Sequence, residues 1–140
     1  MDIIKAIAKS LDLGYKHGTY REINAIFDRT DNTSFPCVTE LLELKGSFEL
    51  KYESVKDSQD VCLLFLDVDG KTVDSEKTGE IVERMKSKAL EFIKATNETQ
   101  RFEKIDETNL EYFTIVKQFD KCLSGLELTL KLTPVNAVCL

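Results

Sequence analysis

Asp67 and Asp69 stand two residues apart, directly after the unbroken apolar run from Val61 to Leu66, and Gly70 follows them. Two carboxylates at that spacing at the end of a buried strand could hold a divalent cation and leave one oxygen free to attack phosphorus. The stretch from Phe65 to Glu76 reads FLDVDGKTVDSE. The chain therefore poses a choice between phosphoryl chemistry at a metal and an acidic turn joining a strand to a helix.

The order apolar strand, Asp67-Val68-Asp69-Gly70, then Thr72-Val73-Asp74-Ser75 resembles the nucleophile motif of the haloacid-dehalogenase phosphatases. In that reading Asp67 attacks phosphate and Asp69 serves as acid and base, with Mg²⁺ between them. Four features favour the turn. Lys71 stands where the family's Thr usually follows. Gly70 is the midpoint of 140 residues, which leaves little room for the repeated βα units of a doubly wound sheet. The second half of the chain holds one helix and an alternating hairpin, whose wet face does not suit a central parallel strand. The distal acidic pair Asp106-Glu107 has no strand before it. A calcium loop fits no better: with Asp67 and Asp69 at loop positions three and five, position one is Phe65, and no helix precedes it. Cap chemistry explains the same residues, since Asp74, Ser75 or Thr78 can cap the next helix. No catalytic, cofactor-binding or metal-ligating residue is assigned, no cofactor is expected, and the chain is read as a non-enzyme.

The remaining reactive residue types give weaker signals. His17, the one histidine, lies in a glycine-flanked stretch read as a loop and has no Cys or Ser motif to serve as a base. Cys37, Cys62, Cys122 and Cys139 are widely spaced and form no CxxC pair. A zinc site would need unusual ligands, and reduced, buried thiols are expected. Cys37 follows Pro36 in an exposed-looking segment, but no cation is fixed near it by sequence. Asn97-Glu98-Thr99 is a formal glycosylation sequon without a secretion signal to give it meaning.

The elements that must position these residues can be read from periodicity. Ile3, Ile4, Ile7, Ala8 and Leu11 predict a helix over 2–12, with Gly14 and Gly18 as its stop. Tyr20–Phe27 is expected as a first strand and Asp28–Ser34 as a loop. From Leu42 to Tyr52 apolar and polar residues alternate, predicting a strand with one wet face and a bulge or bend at Gly46. Lys56–Asp60 is read as a polar turn. Val61–Leu66 is a strand covered on both faces. Thr78–Thr96 is the best helix, with Ile81, Val82, Met85, Ala89, Phe92 and Ile93 as its apolar stripe. Phe102–Leu110 is ambiguous. Tyr112–Phe119 is a strand, Asp120–Gly125 a turn, and Leu126–Leu132 a final half-buried strand ended by Pro134. The expected fold is α+β: one mainly antiparallel or mixed sheet with an N-terminal helix and one long helix packed on it, as a single domain over residues 1–140.

Composition narrows the partners. Apolar residues make up 42%, charged residues 31%, and the net charge is −6 with a pI near 4.9. Lys and Arg are mixed with acids and form no basic stripe, which disfavours groove binding to nucleic acid. No apolar run reaches the roughly 18 residues of a membrane span, and the N-terminus reads as a cytosolic start.

Two blocks carry a second resemblance: VCLLFLDVDG…EIVERMKSKALEFIKA, and FTIVKQFDKCLSGLELTLKL. Over about residues 38–133 the chain resembles small head–tail joining and tail-completion proteins, of the tail-terminator kind, in phages and prophages of Bacteroides-type bacteria. The resemblance implies a virion structural subunit, made in the host cytoplasm, that forms a ring closing the tail tube or joining it to the head. It implies as partners the chain itself, as a hexamer, and other neck or tail proteins, with DNA passing an acidic lumen unbound. The alternatives are a small cytosolic binding or adaptor domain and the Mg-dependent phosphatase. A ring needs two unlike surfaces. The final strand is the candidate, read as an available sheet edge, with Leu126, Glu127, Leu128 and Lys131 as interface residues.

Overall fold

A computed structural model describes residues 2–42, 45–106 and 109–139. The sheet is built around β4, Ser54–Val68, because its second half is apolar on both faces. Val61, Leu63 and Phe65 point one way, Leu64 and Leu66 the other, and none is more than 2% exposed. Each face therefore needs its own cover.

The first face is closed by α1, Asp2–Ser10, and α3, Ser75–Glu98. Ile81, Met85, Ala89 and Phe92 of α3 pack with Ile4, Ile7 and Ala8 of α1 over Val61, Leu63 and Phe65. Phe92 meets Phe65 edge to face at 5.6 Å between centroids. Of the expected stripe on α3, Ile93 is partly buried and the rest are buried. The second face is closed over its upper half by α2, Ile23–Asp28, whose Ile23 and Phe27 join Phe35, Leu41, Leu64, Leu66 and Leu123.

The strands are β1 Gly14–Gly18, β2 Cys37–Leu41, β3 Gly46–Lys51, β4, β5 Tyr112–Gln118, β6 Leu123–Leu132 and β7 Val138–Cys139. They form one mixed sheet in the order β1-β2-β4-β6-β5, with β3 and β7 pairing to the start of β4. β1 and β2 are parallel and the other pairs antiparallel. Gln59 pairs with Gly46 on one side and Leu132 on the other, so β3 lies on the β2 side of β4. Gly125 sits where β6 crosses the middle of β4: at φ +155, a Cβ there would collide with the Phe65 carbonyl oxygen. Glycine lets the two strands meet.

The α+β class, the long helix and the buried strand are as expected. Several local readings are corrected. Tyr20–Phe27 holds α2 and no strand; Ile23 and Phe27 are one helical turn apart and bury together, whereas Tyr20 is exposed. The first helix ends at Ser10, before the glycines, and Gly14 and Gly18 bound β1. Lys56–Asp60 is not a turn. It continues β4, and the chain reverses at Tyr52 and Glu53. Buried Ser58 bonds Thr133 there at 2.8 Å, which lets a polar strand pair across. The alternating strand starts at Gly46 with unbroken register and no bulge; Glu43 and Leu44 of the expected strand lie outside the described residues. Both faces of β3 are exposed, against the expected single wet face. Leu123 and Ser124 belong to β6, which shortens the expected turn.

Phe92 carries the contact between α3 and the sheet. Phe92→Ala is expected to destabilise the fold by about 3–5 kcal/mol. Denaturant unfolding checks this, and an unchanged midpoint would contradict the packing described.

Candidate interaction surfaces and the acidic loop

The acidic loop is built from four elements. Period-two alternation along β4 places Asp67 and Asp69 on the α3 face with Phe65. Asp67 accepts from its neighbour Val68 N at 2.8 Å and from Arg84 Nη1 of α3 at 3.0 Å. Asp69 is 1% exposed. Its Oδ2 accepts from Thr78 Oγ1 of α3 at 2.5 Å and from Ser124 Oγ of β6 at 2.7 Å, and Lys117 Nζ of β5 lies 3.4 Å away. Its Oδ1 is buried without a hydrogen-bond partner among the described residues. Burial pushes the Asp69 carboxyl upward, but the Thr78 and Ser124 hydroxyls and the Lys117 ammonium outweigh it and hold it below the usual carboxylate range.

β5 is irregular where it supplies that ammonium. Its register with β6 shifts between Ile115 and Gln118, and Lys117 takes φ 47. The irregularity turns Lys117 out of alternation and onto the α3 side. There Nζ donates to the Gly70 and Thr72 carbonyls at 2.7 and 2.9 Å. Lys117 N donates to Ser124 Oγ at 2.9 Å, and Asp69 N to the Cys122 carbonyl at 3.0 Å. Asp74 then caps α3, its Oδ1 accepting from Lys77 N at 3.1 Å.

The two carboxylates are thus engaged by Arg84 and by the Thr78, Ser124 and Lys117 set, and the loop works as a clamp joining β4, α3, β5 and β6. No group of three His, Cys, Asp or Glu side chains poised for a metal occurs among the described residues. The solvated turn foreseen for this loop is corrected at Asp69, whose burial no local pattern marks: its donors come from 9 and 55 residues downstream.

Other candidate residues separate. Cys37 is fully buried on β2, not exposed, and burial pushes its thiol up to about 12, so it stays protonated. His17 is on strand β1, not in a loop; it is exposed and stacked on Tyr15 at 5.9 Å. Of the expected interface, Leu126 and Leu128 are buried in the core, and β6 lies between β4 and β5. The final strand of the expectation is therefore not a sheet edge there, and β7 comes after it. Glu127 and Lys131 face the opposite side of β6, where Glu127 Oε1 accepts from Cys62 Sγ at 3.1 Å and Lys131 is exposed.

The open edges lie elsewhere. β3, the start of β4 and β7 form an arm. On its α3-side face Phe48 is 72% and Leu50 69% exposed; Val55 and Val138 continue that row across the strands. Tyr52, at the tip with φ 57, is 95% exposed. At the opposite edge β5 pairs with β6 and with no other strand among the described residues, and Tyr112, Phe113 and Val116 are exposed. An apolar pocket of about 210 Å³ opens beside it, between α3 and β6, lined by Ala89, Leu90, Ile93, Leu110, Tyr112 and Leu128 among others. The pattern of Leu42–Tyr52 hid the arm because alternation alone does not say whether anything covers the apolar face. The signal was across the strand: Phe48 pairs with Asp57, a partner no core strand offers.

Asp69→Asn is expected to cost about 1–3 kcal/mol, and Asp67→Asn, at a partly exposed ion pair, about 0.5 kcal/mol or less. Because the folded-state pKa of Asp69 is depressed, its contribution is fully present above the unfolded value of about 3.9 and is lost as pH falls from there through the folded value. Denaturant midpoints between pH 7 and 2 check this. Asp69→Asn should lose part of the wild-type acid slope. Equal effects of the two substitutions would contradict the clamp.

Comparisons with protein-family models, with curated proteins and with solved structures found nothing that matches the chain.

Proposed function

We propose that the chain is a non-enzymatic structural subunit of a phage neck or tail, one that assembles head to tail into a ring at the end of the tail tube or between tube and head. The observation that carries the reading is that outer strands stand on both sides of one sheet, β1 and β3 on one and β5 and β7 on the other, and that β3 with its bare apolar arm and β5 with its pocket present unlike surfaces. Monomeric proteins normally protect such edges or use them for pairing. Two unlike complementary surfaces give a heterologous contact, which closes into a ring or runs on as a filament.

Strand positions constrain that geometry. β3 is antiparallel to β4, β4 to β6, and β6 to β5. β3 lies level with Ser54–Gln59 of β4 and β5 level with Leu63–Val68, so contact between the two edges of successive copies needs a rotation axis inclined to the strands within the plane of the sheet. The net charge of −6 is compatible with a lumen that DNA passes without sticking. The two blocks that carry the likeness to tail-completion proteins form the second half of β4 with α3, and β5 with β6, the framework that carries the β5 edge. The engaged states of Asp67 and Asp69 support the non-enzymatic part of the reading.

Imaging the protein mixed with tail tubes, or assembled virions, tests the proposal. A ring of this chain at the neck or tube end is expected, with sixfold symmetry. A stable monomer without affinity for any virion part would contradict it, as would Mg²⁺-dependent turnover of a phosphate ester that vanishes in Asp67→Asn.

A further inference from the structure

We propose that the apolar arm docks into the α3–β5 pocket of a second copy of this chain, with Phe48 as the anchoring side chain. The inference rests on the head-to-tail reading and names its contact.

Three observations select a second copy. The first is size. The pocket of about 210 Å³ is apolar and bounded by Leu90, Leu110 and Tyr112; an apolar cavity of about 150 Å³ already accepts a benzene ring. The arm presents two aromatics, Phe48 in the row that Leu50 and Val55 extend and Tyr52 at the tip. The second is facing. Phe48 and Leu50 lie on the α3 side of the sheet, and so does the pocket. A rotation about an axis in the plane of the sheet, inclined to the strands as the offset of β3 and β5 along β4 requires, keeps the same side outward in every copy, so arm row and pocket meet on one side. The third is charge. The arm's apolar face carries Asp57 beside Val55 and Phe48, and the pocket rim carries Lys86, whose Nζ pairs with exposed Glu83 at 3.1 Å and lies 5.2 Å from the Tyr112 ring centroid. Insertion brings the carboxylate toward the ammonium and a second aromatic ring toward the same cation.

Area then sets the strength. A large aromatic side chain offers about 150–250 Å², whereas a stable interface buries about 800 Å² on each partner. One arm in one pocket falls short of that. The contact is weak as a pair and becomes stable when every copy uses both its arm and its pocket, as ring closure allows.

Sedimentation velocity under reducing conditions, up to about 1 mM protein, on the wild type, Phe48→Asp and Leu90→Asp tests the inference. Both substitutions are at exposed positions, Leu90 being 68% exposed, and thermal melting verifies that each variant stays folded. The wild type should associate progressively with concentration, and each variant should associate about tenfold more weakly or worse. Mixing the two variants should restore one intact contact, arm of Leu90→Asp in pocket of Phe48→Asp, and give a heterodimer that does not grow. A wild type that stays monomeric throughout overturns the second copy as occupant. If both variants associate like the wild type, the arm contact falls while the ring reading stands. If the variants behave as described but the wild type adds to no tail tube, the contact stands and the virion reading falls.

Discussion

Asp69 is a carboxylate enclosed by protein, and its charge is held by groups from three other elements: Thr78 at the start of α3, Ser124 in β6 and Lys117 in β5. An ionised group this deep is costly unless its oxygens are met by donors. The cost makes the arrangement specific, because each element must arrive in register for the charge to be satisfied. β4 ends where it does because Asp69 N bonds the Cys122 carbonyl, and the β5 irregularity exists where Lys117 must leave alternation to reach the loop. The clamp therefore fixes β5 as a short strand whose outer edge stays open, with α3 held alongside it. The pocket between α3 and β5 is a consequence of that spacing.

The other end of β4 obeys a different rule. From Ser54 to Asp60 the strand is mostly polar, and its β3 partners Phe48 and Leu50 belong to neither core cluster. Phe48 and Leu50 thus lie beside Asp57 and Val55 and stay exposed. A bulky Tyr52 at positive φ at the arm's tip adds local strain. The molecule keeps an exposed apolar surface at the place where its own packing gains least from it. Exposed apolar patches of this kind mark interaction sites more often than neutral surface.

Legibility in the sequence varied with the range of the interactions. α3 was readable because six apolar residues recur at helical spacing, and the buried half of β4 because it is apolar at consecutive positions. α2 was missed because Ile23 and Phe27 supply a single helical turn, and residues 20, 23 and 27 can also be drawn as a strand. β4 was cut short because Lys56–Asp60 looks like a turn until Thr133, far along the chain, supplies the partner for Ser58. The edge strand was placed wrongly for a related reason: the regular alternation of Leu126–Leu132 describes a half-buried strand equally well at an edge or in the interior, and topology decides. At the acidic loop, Asp74 as the helix cap was legible because capping is local. The burial of Asp69 was not, because its donors are gathered by tertiary structure.

The proposed joining of copies head to tail through two unlike edges of one sheet has a direct physical readout. Native mass spectrometry of the assembled protein, alone or released from tail tubes, tests this most directly. Head-to-tail closure predicts a series of intermediate masses ending at one closed stoichiometry, six copies. A species that stops at a dimer, the signature of a self-complementary contact, or a protein that remains monomeric in the presence of its tube, would contradict it.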